Sequence, residues 1–378
     1  MTNRISFTDI DISSDGWVRC EVTRETTHQF DIQLPYSFIP STDLLVAAFA
    51  SLCGTSFDLI EIDLPIGPSQ KQALGSLTRA KIISKSGNDL RRRPGQRKAL
   101  NFSGGFDSLA AKAVLGDVDL ISLDFGGKFS RERIFFERFN PLVFKTNLTD
   151  LKLNSYSWQF MGIGSILLMD ELQLGYYSFG SILAGSFPRL FTGPVDQSKF
   201  GVGSANALGM RQSNPVAGLT EIATLSIAAK TFPMLMVDAL MSVALPGEDK
   251  FMRKHQMIQA VSASLEYPLK FPEIDLGKPR LRWGDSFATD LSSLYVMDVM
   301  GVDYVDSSYL EGVPDRVADG LQNIDLSFMM RFNPQAYEGV DRSLLGDWYK
   351  SFIELGIEPY SRQDWHEAAK AMKLLRGE

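Results

Sequence analysis

Two cysteines, Cys20 and Cys53, and three histidines, His28, His255 and His366, are all that 378 residues contain. Cysteines this few and this far apart exclude a disulfide scaffold and a thiolate metal cluster. The histidines stand at unrelated places, which argues against a histidine-based triad. No stretch reaches the roughly 18 uninterrupted apolar residues of a membrane span, so no membrane partner is expected. Residues Met1 to Phe7 carry no long apolar core, and no secretory signal is expected. Positive charge is also scarce: the net charge is −7, whereas a general nucleic-acid binder is usually basic, so nucleic acid is not an expected partner. A cytoplasmic, reduced protein fits these absences.

What is present is ordinary for a globular chain: 44% hydrophobic and 22% charged residues, in a length that predicts two or three domains. Residues 1–95 read as a β-rich N-terminal domain. Trp17–Val22 and Gln29–Leu34 alternate as half-buried strands, a turn lies between them, and Leu44–Leu52 follows as an apolar helix. The one dense basic run, Arg91 to Lys98, reads as a solvated boundary. Residues 96–265 alternate strand and helix as a parallel α/β sheet does, with strands ending at Phe102, Asp124 and Lys145. A long apolar helix is expected over 160–174 and a fourth strand over 176–183. Residues 266–378 read as a helical C-terminal region.

The most informative stretch is Ser103-Gly104-Gly105-Phe106-Asp107-Ser108, between the apolar run ending at Phe102 and the helical run Leu109–Leu115. Two glycines leave no Cβ in the way and take backbone angles closed to other residues. Their amides, at the positive end of a following helix, can wrap an anion, and Ser103 and Ser108 add hydroxyl donors. This is a phosphate cradle, and it is not a Walker A loop, because no Gly-Lys-Ser/Thr follows at the required spacing. The plain structural alternative is a strand-to-helix turn capped by Asp107 or Ser108.

Ser-Gly-Gly-x-Asp-Ser after a strand resembles the PP-loop of the N-type ATP pyrophosphatases, which are adenine nucleotide alpha-hydrolase-like in fold. The resemblance implies a doubly wound parallel sheet. It also implies cleavage of ATP between its α and β phosphates, with AMP passing to an acceptor oxygen. The turn Leu123-Asp124-Phe125-Gly126-Gly127 is similar to the segment after the second strand in 7-cyano-7-deazaguanine synthases. Ligands of such sheets sit at the carboxyl ends of the strands, so Phe102, Leu123, Asp124, Phe125 and Gly180 are expected to border the nucleotide together with the loop, and Lys128, Arg131 and Lys199 are the candidates for contacting phosphate. Asp107 is the carboxylate expected to order the loop or a magnesium ion, with Asp124 second. The stretch Leu219-Thr220-Glu221 is also similar, and Thr220 is suited to cap a helix starting at Glu221.

Deazaguanine synthases hold zinc on four cysteines. Here the corresponding stretch, Leu245 to Gln256, contains none, so no zinc is expected and His255 reads as packed or solvated. The resemblance therefore implies ATP and magnesium as cofactors and adenylation of a small-molecule or protein-linked carboxylate. Transfer of the acyl group to a nucleophile follows; some of these relatives are tied to antiviral defence, a setting that would suit a protein terminus as acceptor. Two other readings stand beside it: an ATP-dependent peptide or muramoyl-dipeptide epimerase, and a non-catalytic ATP-binding regulatory module.

Overall fold

The glycine loop begins just after the sixth of ten strands that the computed structural model places in one sheet. The structure describes residues 3–90, 92–93, 95–183, 201–265, 269, 274 and 281–378. The chain divides into two compact units, Met1–Ser103 with Asp117–Phe179 and Ser198–Ser213, and Gly104–Gly116 with Gly180–Gln197 and Asn214–Glu378.

The sheet belongs to the first unit. Its strands are β1 (Arg4–Ile12), β2 (Trp17–Thr23), β3 (Thr27–Gln33), β4 (Leu59–Ile66), β5 (Lys81–Ser86), β6 (Arg97–Asn101), β7 (Asp119–Asp124), β8 (Leu142–Thr146), β9 (Leu174–Ser178) and β10 (Arg211–Gln212). Their order is β10-β9-β6-β7-β8-β3-β2-β1-β4-β5. The five strands from β6 to β10 are mutually parallel, and β1, β4 and β5 form a second parallel set. Antiparallel pairs link β8 to β3, β3 to β2 and β2 to β1. The sheet is mostly parallel and compatible with a doubly wound α/β fold. It also contains strands from both sides of residue 95.

The joint between β3 and β8 is narrow. Only Ile32↔Thr146 and Gln33↔Lys145 are in register there. Beyond them the Asn147 side chain takes over the ladder, accepting from the Asp31 N–H at 3.0 Å and donating to the Gln29 carbonyl at 2.9 Å.

The alternation seen in the sequence is used. Val18, Cys20 and Val22 of β2, Phe30 and Ile32 of β3 and Ile60 and Ile62 of β4 are buried in one core with the helix Thr42–Cys53. Each such side chain contributes about 1.5–3 kcal/mol on burial. The strand β9 has no exposed face at all, as expected of a strand inside a parallel sheet. Both cysteines lie in this core, and burial pushes the Cys20 thiol up to about 12.

Two expectations are corrected. The long helix over 160–174 is instead a single 3-10 turn, Trp158–Gly162, and a short helix, Ile163–Leu167, before β9 starts. Gly162 and Gly164 weaken a continuous helix there. The basic run is solvated at Arg93 and Arg97, the latter pairing with Asp119, whereas Arg92 is half-buried and bonded to Asp43, Ser41 and Asp170. The strand expected over 176–183 ends at Ser178.

The second unit is mainly helical. Its helices include Phe106–Leu115, Glu221–Thr231, Asp249–Ala263, Phe287–Met300, Arg342–Glu354 and Arg362–Arg376. Phe332 stacks on Phe352 at 4.7 Å, and Tyr337 meets Trp348 at 5.8 Å, giving this unit an aromatic core. The C-terminal helix starts with a capping box between Ser361 and Asp364. Among the described residues no single helix is long and apolar enough to cross a membrane.

Candidate nucleotide site

In order along the parallel set, β6 to β10 read as first, second, third, fourth and fifth strands arranged 5-4-1-2-3. In the strand order the chain therefore passes from β6 to β7 on one side and from β9 to β10 on the other, so the order reverses between β6 and β9. Ligands of open α/β sheets bind at such a switch point. A buried polar ladder fixes this edge of the sheet. The Asn101 amide donates to the Ser178 carbonyl at 3.1 Å and accepts from the Ser165 hydroxyl at 2.9 Å, while the Ser178 and Ser213 hydroxyls lie 2.9 Å apart. Phe102 continues the strand, its N–H donating to the Ile121 carbonyl at 2.7 Å and its carbonyl accepting from the Ser122 hydroxyl at 2.6 Å.

The segments that follow β6 and β9 belong to the second unit, where they touch. Gly104 has φ 78°, the left-handed region that favours glycine, and so turns the chain into the helix Phe106–Leu115. Gly105 is the N-cap, and no side-chain cap hydrogen bond is made there. The Asp107 side chain instead accepts from the Thr224 hydroxyl at 2.6 Å. Gly180 lies directly against the loop. A Cβ on it would stand 2.7 Å from the Asp107 carbonyl carbon and 2.7 Å from the Ser108 nitrogen, closer than a side chain tolerates. The Leu183 N–H then donates to the Leu219 carbonyl at 2.9 Å, which brings the start of the helix Glu221–Thr231 to the same place. Thr220 caps that helix as its sequence suggests, accepting from the Ala223 N–H at 3.2 Å.

Beside the loop is a charge cluster that the reading of the sequence missed. Arg253 donates to both oxygens of Glu221, at 2.5 and 3.3 Å, and Lys254 pairs with the same carboxylate. Lys254 also sits 5.6 Å over the Phe106 ring, at the first turn of the loop helix. Glu221 and Lys254 are both buried. Burial raises the Glu221 pKa, but the two adjacent cations outweigh it and hold the carboxyl well below its usual range. Asp107 moves the other way. Burial raises it and Glu221 adds to the effect, while Lys254, the Thr224 hydroxyl and Arg253 only partly offset them. His255, next in sequence, is packed on Phe251 with ring centroids 6.0 Å apart, and burial lowers its pKa.

The remaining expected residues have other settings. Asp124 is committed to its own turn: it accepts from the Gly126 N–H and from Arg133, both at 2.9 Å. Leu123 and Phe125 pack on the first unit's core, with Phe125 meeting Phe129 at 5.6 Å and Phe160 at 5.8 Å. Lys128 is exposed and lies over Phe129, Arg131 is half-buried in the same unit, and Lys199 lies outside the described residues. Ser103 is half-buried and Ser108 buried.

Among the described residues no three His, Cys, Asp or Glu side chains gather as a metal-ligand set. Magnesium needs no such set, since it is commonly held by one or two carboxylates with phosphates and waters. Asp107 at the loop fits that role, whereas Glu221 is taken up by Arg253 and Lys254. No family model, no curated protein and no solved structure matches this chain.

Proposed function

We propose that this protein is an ATP pyrophosphatase with a PP-loop, which adenylates a carboxylate and then passes the acyl group to a nucleophile. The observation that carries the reading is the Ser103–Ser108 loop at the switch point of a five-strand parallel set, with an uncapped helix behind it. The finer assignment of the sheet to the adenine nucleotide alpha-hydrolase-like fold belongs to the same proposal.

The chemistry follows from charge. A carboxylate oxygen bonds to the α-phosphorus, and the bond from that phosphorus to the bridging oxygen of the β-phosphate breaks. The leaving pyrophosphate takes the electron pair. The amides at Gly104, Gly105 and Phe106 hold phosphate oxygens, the Ser103 and Ser108 hydroxyls donate to them, and Lys254 neutralises charge as pyrophosphate departs. Lys254 would trade part of its contact with Glu221 for phosphate. Asp107 would hold magnesium, which when bound screens the triphosphate. Gly180 leaves room for the loop to keep its shape.

Incubation with α-labelled ATP, magnesium and a panel of carboxylates should yield AMP and pyrophosphate, and Ser103→Ala should abolish the yield. ADP as the only product would overturn the assignment. Tight ATP binding without turnover, indifferent to Ser103→Ala, would make the protein a regulatory module. Deuterium uptake at a glutamate α-carbon would make it an epimerase.

A further inference from the structure

We propose that the first unit carries a second ligand site, separate from the glycine loop, that takes a neutral ring-bearing small molecule. The site is a cavity of about 420 Å³ between the ends of the helices Thr42–Cys53 and Pro68–Thr78 and the segment 154–160. That volume lies in the range of small-molecule sites.

Three observations define its chemistry. The first is its wall of rings: Tyr156, Trp158 and Phe160 all line it. Trp158 is 44% exposed. Its ring is nevertheless fixed, edge-on to Phe179 at 5.6 Å. A large aromatic held in one orientation and left open to solvent gives contact area at little entropic cost on binding.

The second is the absence of charge. Among the described residues lining the cavity, none carries an ionised side chain; hydroxyls, amides and aliphatic groups make up the rest. A phosphate, carboxylate or ammonium entering it would lose hydration with no counter-charge in return. A neutral ring loses far less.

The third is an unpaired hydroxyl. Ser204 is 4% exposed, lines the cavity, and its Oγ has no hydrogen-bond partner. A buried hydroxyl left this way costs about 1–3 kcal/mol, which a polar atom on the ring's edge would offset. Leu77 closes the same wall, with its Cδ2 2.8 Å from where a Cβ on Gly203 would be.

The wall is also built to stay in place. Gly54 has φ 54°, and a Cβ on it would fall 2.8 Å from the Tyr156 carbonyl oxygen and 2.9 Å from the Ser157 Cβ. The ring segment therefore lies directly on the end of the helix Thr42–Cys53. Phe179 follows β9, and Phe125, which Phe160 meets, follows β7. The cavity thus adjoins the carboxyl ends of the parallel strands, the edge at which α/β sheets present ligands.

The test uses the full chain labelled with 5-fluorotryptophan, with the Trp158 resonance assigned from Trp158→Phe. Indole and benzimidazole are titrated as neutral probes, and indole-3-acetate and tryptamine as charged counterparts, without nucleotide. The neutral probes should shift the Trp158 resonance saturably and bind at least tenfold more tightly than the charged ones. Leu77→Arg should weaken them at least tenfold and Ser204→Ala about threefold. Thr55→Trp, from an exposed position on the rim, should block the cavity as Leu77→Arg does, and melting curves identify a variant that fails to fold. No saturable shift, equal binding of charged probes, or binding indifferent to both blocking variants would overturn the proposal. Because no ATP is present, none of these results bears on the pyrophosphatase reading.

Discussion

Each unit buries an ion cluster, and the two have opposite balances. In the first, one cation, Arg92, serves two carboxylates, Asp43 and Asp170, with the Ser41 hydroxyl completing the set. In the second, one carboxylate, Glu221, serves two cations, Arg253 and Lys254. The first arrangement uses up its guanidinium and ties a helix start to distant chain. The second leaves positive charge in excess beside a helix start without a side-chain cap, where Asp107 is a partial counterweight. A buried cation that is fully paired stabilises structure. A pair of cations sharing one partner keeps the capacity to meet an anion.

The sharpest way to break this contrast is to remove Lys254. Lys254→Met leaves Glu221 buried beside a single cation, and denaturant unfolding should show a loss of about 3–5 kcal/mol. Pyrophosphate release per folded molecule should fall about a hundredfold. Adding Glu221→Gln to Lys254→Met should restore most of the stability and none of the turnover.

Arg92→Met tests the other side. Burial raises the Asp43 pKa, but hydrogen bonds from Arg92 and Ser41 hold it below its ordinary value, so the substitution strands a buried carboxylate. The same unfolding measurement should show a loss of about 2–3 kcal/mol. Turnover per folded molecule should not change. A fall in turnover comparable to that of Lys254→Met would erase the distinction between the clusters.

Gly180→Ala changes no charge. It should weaken ATP binding about tenfold in isothermal titration, because the added methyl displaces the loop at Asp107 and Ser108. Unaltered affinity would mean the loop yields without consequence.

The smallest effect concerns a buried carboxylate served by no cation. Asp290 accepts from the Gly284 N–H at 3.1 Å, and burial, helped by Asp285, pushes it up to about 6. The folded state therefore favours the protonated acid, and stability is lost as pH rises from about 4 through 6. Glu221 has the opposite sign: its contribution is full above the ordinary carboxylate range and disappears as pH falls. Asp290→Asn should raise stability by about 1 kcal/mol at pH 8 and by nothing measurable below pH 4.

These clusters also show what a reader of the sequence could and could not see. The loop was legible because two glycines, two hydroxyls, a preceding apolar run and a following helix all act locally. The strands β2, β3 and β7 announced themselves by composition and alternation. The strand β5 did not, since Lys81, Ile83, Lys85 and Ser86 leave it with little apolar pattern on a sheet edge. Within the Arg91–Lys98 run the role of Arg92 was not legible, because charge density along the chain says nothing about which carboxylates fold onto it. Lys254 left a fainter signal. It follows Phe251 by three residues and precedes Ile258 by four, which sets a cation on the apolar face of its helix. A charge in that position announces a buried partner.

Asn147, finally, marks the place where the sheet's own hydrogen bonding is thinnest. Five strands on one side and five on the other share two residue pairs and a single amide side chain in the ladder. What keeps them one body is the core on the face of the sheet, where Ile5, Phe49 and Ile62 lie in the same cluster as Ile121, Phe144 and Ile166. A seam in the ladder is therefore not a seam in the unit, and apolar packing does there what backbone pairing does elsewhere.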